Sequence, residues 1–343
     1  MWKIRSLREI CLRGINGVLI SAMLADYKSI TRTCAQTIIS DYDLSNVVFW
    51  IGSGADRLGP TFLPTGNELT LALLENLLLA KYYKRLISIW DSCAGILGLE
   101  DYYPRLESVL EAFKRCGYSL SFERQTVSIT EGLRFFDDAP SNENTQLLGS
   151  AILKGSTVIT TNYSTVIENE ACIQSESKDA TFCLRQDSDC LTYYIGTVID
   201  SNGSHGSIYH LHGVSCFPRN MGITLTTVSY SFAKDFKTLM SDLIQKKTLF
   251  IFFGYSGSDD YDVKPLFDSL SENKVNSKAQ AIFIRYGEDS QVSHEITDKE
   301  NRLLLPFRKS FICSCKKLSD VIPLRKSCTK NLKYQISKMV LIG

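Results

Sequence analysis

Short, uninterrupted apolar runs alternate along this chain with stretches in which apolar residues recur every three or four positions. Asn46-Val-Val-Phe-Trp-Ile51 is the first such run. A run without alternation indicates a strand covered on both faces, as in the interior of a parallel sheet. Thr157-Val-Ile-Thr160, Ile208-Tyr-His-Leu211, Thr248-Leu-Phe-Ile-Phe-Phe253 and Gln280-Ala-Ile-Phe-Ile284 repeat the pattern with β-branched and aromatic residues. Helical patterns separate these runs, which predicts an α/β fold, a Rossmann-like doubly wound parallel sheet.

Thr65-Gly-Asn-Glu68 has capping-box spacing, and Leu69, Leu73, Leu74, Leu77 and Leu78 follow at helical positions in a pattern reaching Trp90. Helical periodicity continues to about Leu153 with no strand candidate, so residues 69–153 read as an inserted or accessory helical subdomain. Lys178 to Ser207 reads as a long loop with one strand near Tyr193–Ile199. Residues 1–45 read as a helical extension, 46–310 as the main domain and 311–343 as a helical tail. In that tail Leu318, Val321, Ile322, Leu332, Ile336 and Val340 lie among Lys and Arg. Both flanks are candidate assembly surfaces, and removal of residues 1–40 is expected to leave a folded, monomeric domain.

Charge narrows the partners. Lys+Arg number 38 against Asp+Glu 37, a net charge of +1, so no global field attracts nucleic acid. The N-terminal run Gly17-Val-Leu-Ile-Ser-Ala-Met-Leu24 is short and fits an amphipathic helix better than a signal peptide. No apolar stretch reaches the ~20 residues of a membrane span. Eleven cysteines without a repeating spacing read as free thiols in a reducing compartment, and the expected location is the cytoplasm.

Chemistry gathers where the strands end, since ligands of open α/β sheets bind beyond the carboxyl ends of strands. Gly52-Ser-Gly54-Ala-Asp56 follows the first. It fits a tight strand-to-helix turn or a phosphate approach by backbone N–H groups. A standard dinucleotide fingerprint would need Gly at Arg57, and a phosphate loop would need Lys at Pro60. Thr160-Thr-Asn162-Tyr-Ser164 follows the second; Asn162 is either the cap of a helix starting near Thr165 or an amide that orients a ribose hydroxyl or a water. His210-Leu-His212-Gly213 offers a metal pair with Cys216, or a base at His212, the better exposed of the two histidines. Gly254-Tyr-Ser256-Gly-Ser-Asp-Asp260-Tyr-Asp262 fits a phosphate or ribose site with a carboxylate, a helix N-terminus rich in Asp, or both.

Taken in order, Gly-Ser-Gly-Ala, Pro64-Thr-Gly66, Thr-Thr-Asn-Tyr, Leu-His-Gly and Gly-Tyr-Ser-Gly resemble the sirtuin-like family. The branch found in bacterial anti-phage defence is the most similar, over residues 46 to about 290. The resemblance implies NAD as substrate, with no metal. Gly52, Ser53, Gly54 and Ala55 would meet the pyrophosphate, and Asp56, Thr65 and Gly66 would also bind the cofactor. Asn162, flanked by Thr161 and Tyr163, would meet the nicotinamide ribose, and Gly254, Tyr255, Ser256 and Asp260 the adenosine side. His212 falls on the family's catalytic histidine. Three departures stand out. Asp56 replaces a Ser, Ser164 replaces an Asp, and one extra residue makes Asp259 and Asp260 ambiguous. On this reading Ser164→Asp should raise activity, and His210→Ala should matter far less than His212→Ala.

Deacylating sirtuins carry two Cys-x-x-Cys zinc pairs. This chain has none, Cys313-Ser-Cys315 being the nearest approach, so the resemblance implies an NAD glycohydrolase that depletes NAD in anti-phage defence. Alternatives are an NAD or ADP-ribose binding module without turnover, an NAD-dependent deacylase, and a serine hydrolase using Ser256, Asp268 and His294. The last needs a Gly where Ser258 stands. Regulation of such an activity implies a homo-oligomer or a separate sensor protein.

Overall fold

The structure is a computed structural model. It describes residues 25–342 apart from 78–83, 86–87, 89–104, 116–119, 123–124, 128–135, 137–138, 176–179, 188–189, 191, 201–202, 218–220, 223–226, 228–233, 258–261, 272–276, 288–295 and 323–338. The elements in chain order are β1 (Tyr27–Ser29), α1 (Arg32–Ser40), β2 (Val47–Ile51), α2 (Gly66–Leu77), α3 (Leu106–Arg115), β3 (Leu120–Phe122) and β4 (Gln125–Val127). There follow α4 (Glu143–Leu153), β5 (Thr157–Thr160), α5 (Val166–Gln174), β6 (Thr181–Gln186), β7 (Tyr194–Asp200) and β8 (Gly203–His210). The chain continues through α6 (Lys234–Gln245), β9 (Leu249–Phe253), α7 (Val263–Ser271), β10 (Gln280–Tyr286), α8 (Asp298–Leu304), β11 (Lys309–Cys315) and β12 (Met339–Ile342).

A ten-stranded sheet in the order β1-β11-β10-β9-β2-β5-β8-β7-β6-β12 organises the molecule. From β1 to β8 every neighbouring pair is parallel, and β8-β7-β6 are antiparallel. The continuous apolar runs are explained by burial on both faces. Val47, Phe49 and Ile51 of β2 enter one core with Leu249, Ile251 and Phe253 of β9. Val48 and Trp50 enter the other with Phe250 and Phe252. Ala35 and Ile39 of α1, Leu148 and Ile152 of α4 and Ile167 and Ala171 of α5 cover the first face. Phe236 and Met240 of α6, Leu266 and Phe267 of α7 and Leu303 of α8 cover the second. Helices on both faces of a mainly parallel sheet make this the doubly wound α/β fold.

The flanks differ from the expectation. β1 pairs with β11, and α1 buries Ala35 and Ile39 in the central core, so the second half of the 1–45 segment is integral to the fold. Deleting residues 1–40 removes both elements and is expected to unfold the domain. The 311–343 tail is not helical at its two ends: β11 runs to Cys315 and β12 pairs with β6. Leu332 and Ile336 lie outside the described residues, as do residues 1–24. The region read as a loop from Lys178 holds three antiparallel strands, β6 to β8.

Within 69–153 the described residues hold α2, α3, most of α4 and a β3–β4 hairpin that the helical reading did not include. Leu69, Leu73 and Leu74 of α2 pack with Leu106, Val109 and Leu110 of α3 in a separate small core. Leu63, Phe136 and Met221 complete that core, with Tyr163 against it. The capping box forms as read: Thr65 N–H donates to Glu68 Oε2 at 2.8 Å and Glu68 N–H to Thr65 Oγ1 at 3.4 Å.

Candidate active site

One rung of the sheet places the four polar segments together. Ile51 pairs with Phe253 and with Thr160, and Thr160 pairs with His210. β9, β2, β5 and β8 are adjacent, so Phe253, Ile51, Thr160 and His210 stand in line. The polar segments begin at the next residue in each case, Gly254, Gly52, Thr161 and Leu211. β2 is also the point where strand order reverses, with β5 and β8 on one side and β9 to β11 on the other. Such a switch point opens a crevice in a doubly wound sheet.

The glycines serve close packing of two loops. Gly52 N–H donates to Phe253 O at 3.1 Å, Gly54 N–H to Gly254 O at 2.9 Å and Ala55 N–H to Gly52 O at 3.0 Å. These three donors are therefore engaged within the protein, which changes the expectation that they cradle a phosphate. A Cβ on Gly52 would lie 2.5 Å from Gly254 O, and one on Gly254 would lie 2.3 Å from Ala55 N. Gly254 also has φ +64, a conformation other residues adopt at a cost. Gly254→Ala is expected to destabilise the protein by about 2 to 5 kcal/mol, read as a lower urea midpoint. An unchanged midpoint would show that the two loops separate freely.

Asn162 is not a helix cap. The cap position of α5 is Thr165, while Asn162 Nδ2 donates to Asp56 Oδ2 at 2.9 Å and to Gly52 O at 3.2 Å. Both partners are acceptors, so the NH₂ group faces the protein and the amide oxygen remains to accept from a ligand. Ser164 Oγ donates to the same Asp56 oxygen at 3.2 Å. Two of the three positions at which the chain departs from the resembled pattern are thus in contact. Burial pushes the Asp56 carboxyl up to about 7; the hydrogen bonds from Ser164 and Asn162 oppose this, and the charge of Glu168 adds to it.

The two histidines have separate tasks. His210 is fully buried; its Nε2 makes a short contact with Glu168 Oε1, and its Nδ1 lies 3.3 Å from Asn162 O. It is a structural strut beneath Asn162. His212 Nε2 lies 2.7 Å from Asp262 Oδ2, and the other oxygen of Asp262 accepts from Val263 N–H at 2.7 Å. A carboxylate can only accept here, so Nε2 donates to Asp262. The rings are directed to different carboxylates rather than to a shared metal. Among the described residues no group of three His, Cys, Asp or Glu is placed to hold a metal ion.

The remaining expected residues divide. Tyr163 holds the crevice wall, its carbonyl accepting from Ser215 N–H and Oγ at 2.9 Å and its hydroxyl donating to Gly222 O at 3.4 Å. Thr161 N–H donates to Ile51 O. Thr65 and Gly66 open α2, and Ser53 is half-buried while Ser256 is exposed. Tyr255 belongs to the core, its ring 5.9 Å from that of Trp50. Asp260, Asp259, Ser258 and His294 lie outside the described residues.

Four polar residues carry parts the sequence reading did not give them. Asp262 holds His212 and Glu168 holds His210. Asn142 and Asn144 at the start of α4 each donate to Ala55 O at 3.1 Å, and Asn142 caps the helix through Asn144 N–H and Thr145 N–H. The motif Ser141-Asn-Glu-Asn144 is a recognisable cap, but nothing in sequence ties it to a loop 87 positions away.

No curated protein matches the chain. Residues 156–305 match a family model described as the SIR2-like domain. This span contains β5, β8 and β9 with the segments that follow them, and β2, with Gly52 to Asp56, sits between β5 and β9 in the same sheet. Over that span the chain is similar to the SIR2-like domain.

Proposed function

We propose that this protein is an NAD glycohydrolase that cleaves the nicotinamide–ribose bond, and that it serves as an NAD-depleting effector of anti-phage defence. The observation that carries the reading is the single rung from which Gly52, Thr161, Leu211 and Gly254 all depart. Asn162 and His212 each follow by two residues the ends of the adjacent strands β5 and β8, Thr160 and His210, which pair in register. The SIR2-like match supports NAD as the ligand. Regulation through a homo-oligomer or a separate sensor chain belongs to the proposal, as does a cytoplasmic location, which the buried thiols of Cys172 and Cys190 favour.

In this reading the bond between ribose C1′ and the pyridinium nitrogen breaks with its electron pair leaving on nicotinamide. Water oxygen attacks C1′, and His212 Nδ1 takes the proton released. Asn162 Oδ1 accepts a hydrogen bond from that water or from a ribose hydroxyl, fixing its position. Asp262 keeps the imidazole in the required tautomer and stabilises its protonated form. Products are nicotinamide and ADP-ribose, or its cyclic form if a group of the same molecule replaces water.

Asp262→Asn tests the dyad. Its amide would let Nε2 lose the proton, and nicotinamide release should fall by about 10²-fold or more, with NAD affinity by calorimetry little changed. Full activity in this variant would remove His212 from the role of base.

A further inference from the structure

The molecule has a small cavity between α7 and α8, lined partly by Lys264, Lys299 and Arg302, exposed rings at Phe62 and Tyr286 and several buried acids. The buried acids lead furthest. Asp56 is 3 % exposed and Ser164 is 4 % exposed. One oxygen of Asp56 receives both Asn162 Nδ2 and Ser164 Oγ, and the other, Oδ1, is buried with no hydrogen-bond partner among the described residues. A buried carboxylate oxygen without a partner is costly, and such costs are retained at functional sites more than elsewhere.

We propose that Asp56 and Ser164 form one interchangeable carboxylate–hydroxyl pair whose work is to position the Asn162 amide with its oxygen turned toward the ligand. The pair acts through Asn162, so both are positioning residues, and the inference rests on the NAD-cleaving reading above. The site needs one strong acceptor facing Asn162 Nδ2. Gly52 O takes one amide hydrogen, and the carboxylate takes the other. Without that carboxylate the amide has one anchor and can turn over, presenting NH₂ where an acceptor is needed. Which of the two neighbours supplies the carboxylate is secondary, provided that there is one. Two would repel in a buried place already facing Glu168. This reverses the expectation for Ser164→Asp, which becomes a damaging change on its own.

The experiment is a four-protein cycle of parent, Asp56→Ser, Ser164→Asp and the double exchange. Each is measured for NAD turnover, NAD affinity and thermal unfolding. Asp56→Ser should lower kcat by about 10-fold to 10²-fold with KM within about 3-fold, the mark of lost orientation rather than lost binding. Ser164→Asp should lower both kcat and Tm. The double exchange should recover kcat to within about 10-fold of the parent, and its Tm should exceed that of the worse single variant by more than additivity allows. A double variant as inactive as the worse single one, in a turning-over parent, overturns the inference and leaves the NAD-cleaving reading standing. If the parent binds NAD and does not turn it over, that reading fails, and the pair is then judged by unfolding and NAD affinity. Additive effects in both would overturn it, and coupling in both would uphold it.

Discussion

His212→Ala is expected to lower nicotinamide release from NAD by about 10² to 10⁴-fold, the usual contribution of a positioned general base. It should lower the urea midpoint less than His210→Ala does, because Asp262 retains its bond from Val263 N–H and is less deeply buried than Glu168. His210→Ala should fail differently. His210 and Glu168 are both fully buried and paired, and removing one partner of such a pair costs about 3 to 5 kcal/mol. This variant should therefore unfold at much lower urea, with any activity lost alongside the fold. Denaturant titration beside the NAD assay separates the two. Wild-type turnover in His212→Ala, or an unaltered urea midpoint in His210→Ala, would contradict the assignment of a reactive and a structural histidine.

The second large effect is on stability against pH. The Asp56 carboxyl is raised from 3.8 to about 7. The unfolded chain ionises this group near pH 4, while the folded chain holds the proton until about 7. Between these values the folded state binds more protons, so its stability falls as pH rises through that window and levels off above it. At about 1.4 kcal/mol for each pH unit the loss is roughly 4 kcal/mol. Asp56→Asn lacks this contribution and should gain up to about that much over the parent by pH ~8, with no gain below pH ~4. Glu168, Asn162 and Ser164 are the polar neighbours that tune the group, and they are common to both proteins. A stability difference that stays constant with pH would show that Asp56 is already ionised throughout. The same substitution should lower NAD turnover, so that stability and activity move in opposite directions.

The central strands were legible because burial on both faces leaves an unbroken apolar signal, as in Val47–Ile51 and Leu249–Phe253. β11 was not, since Lys309, Ser310, Ser314 and the cysteines dilute its pattern, and β6 buries only alternate residues among Thr181–Gln186. At the site, the residue types and their strand-end positions could be read directly. The pairings could not, because they depend on loops that meet only in three dimensions. Gly52 and Gly254 signal a tight approach in sequence, yet only the fold shows that each is approached by the other's loop. Asp262 was one acid in a run of several, and it holds His212 because α7 begins at the next residue. Asp56 and Ser164 read as two separate losses; their contact makes them one exchange.

The central claim is that the crevice breaks the nicotinamide–ribose bond. Its most direct test follows free nicotinamide released from NAD by the purified protein, alone and with co-expressed neighbouring proteins, with NAD affinity measured on the same samples. The account predicts one nicotinamide for each NAD consumed by the parent chain, and none above background from folded, NAD-binding Asn162→Ala or His212→Ala. A parent chain that binds NAD in every condition and releases no nicotinamide would contradict it.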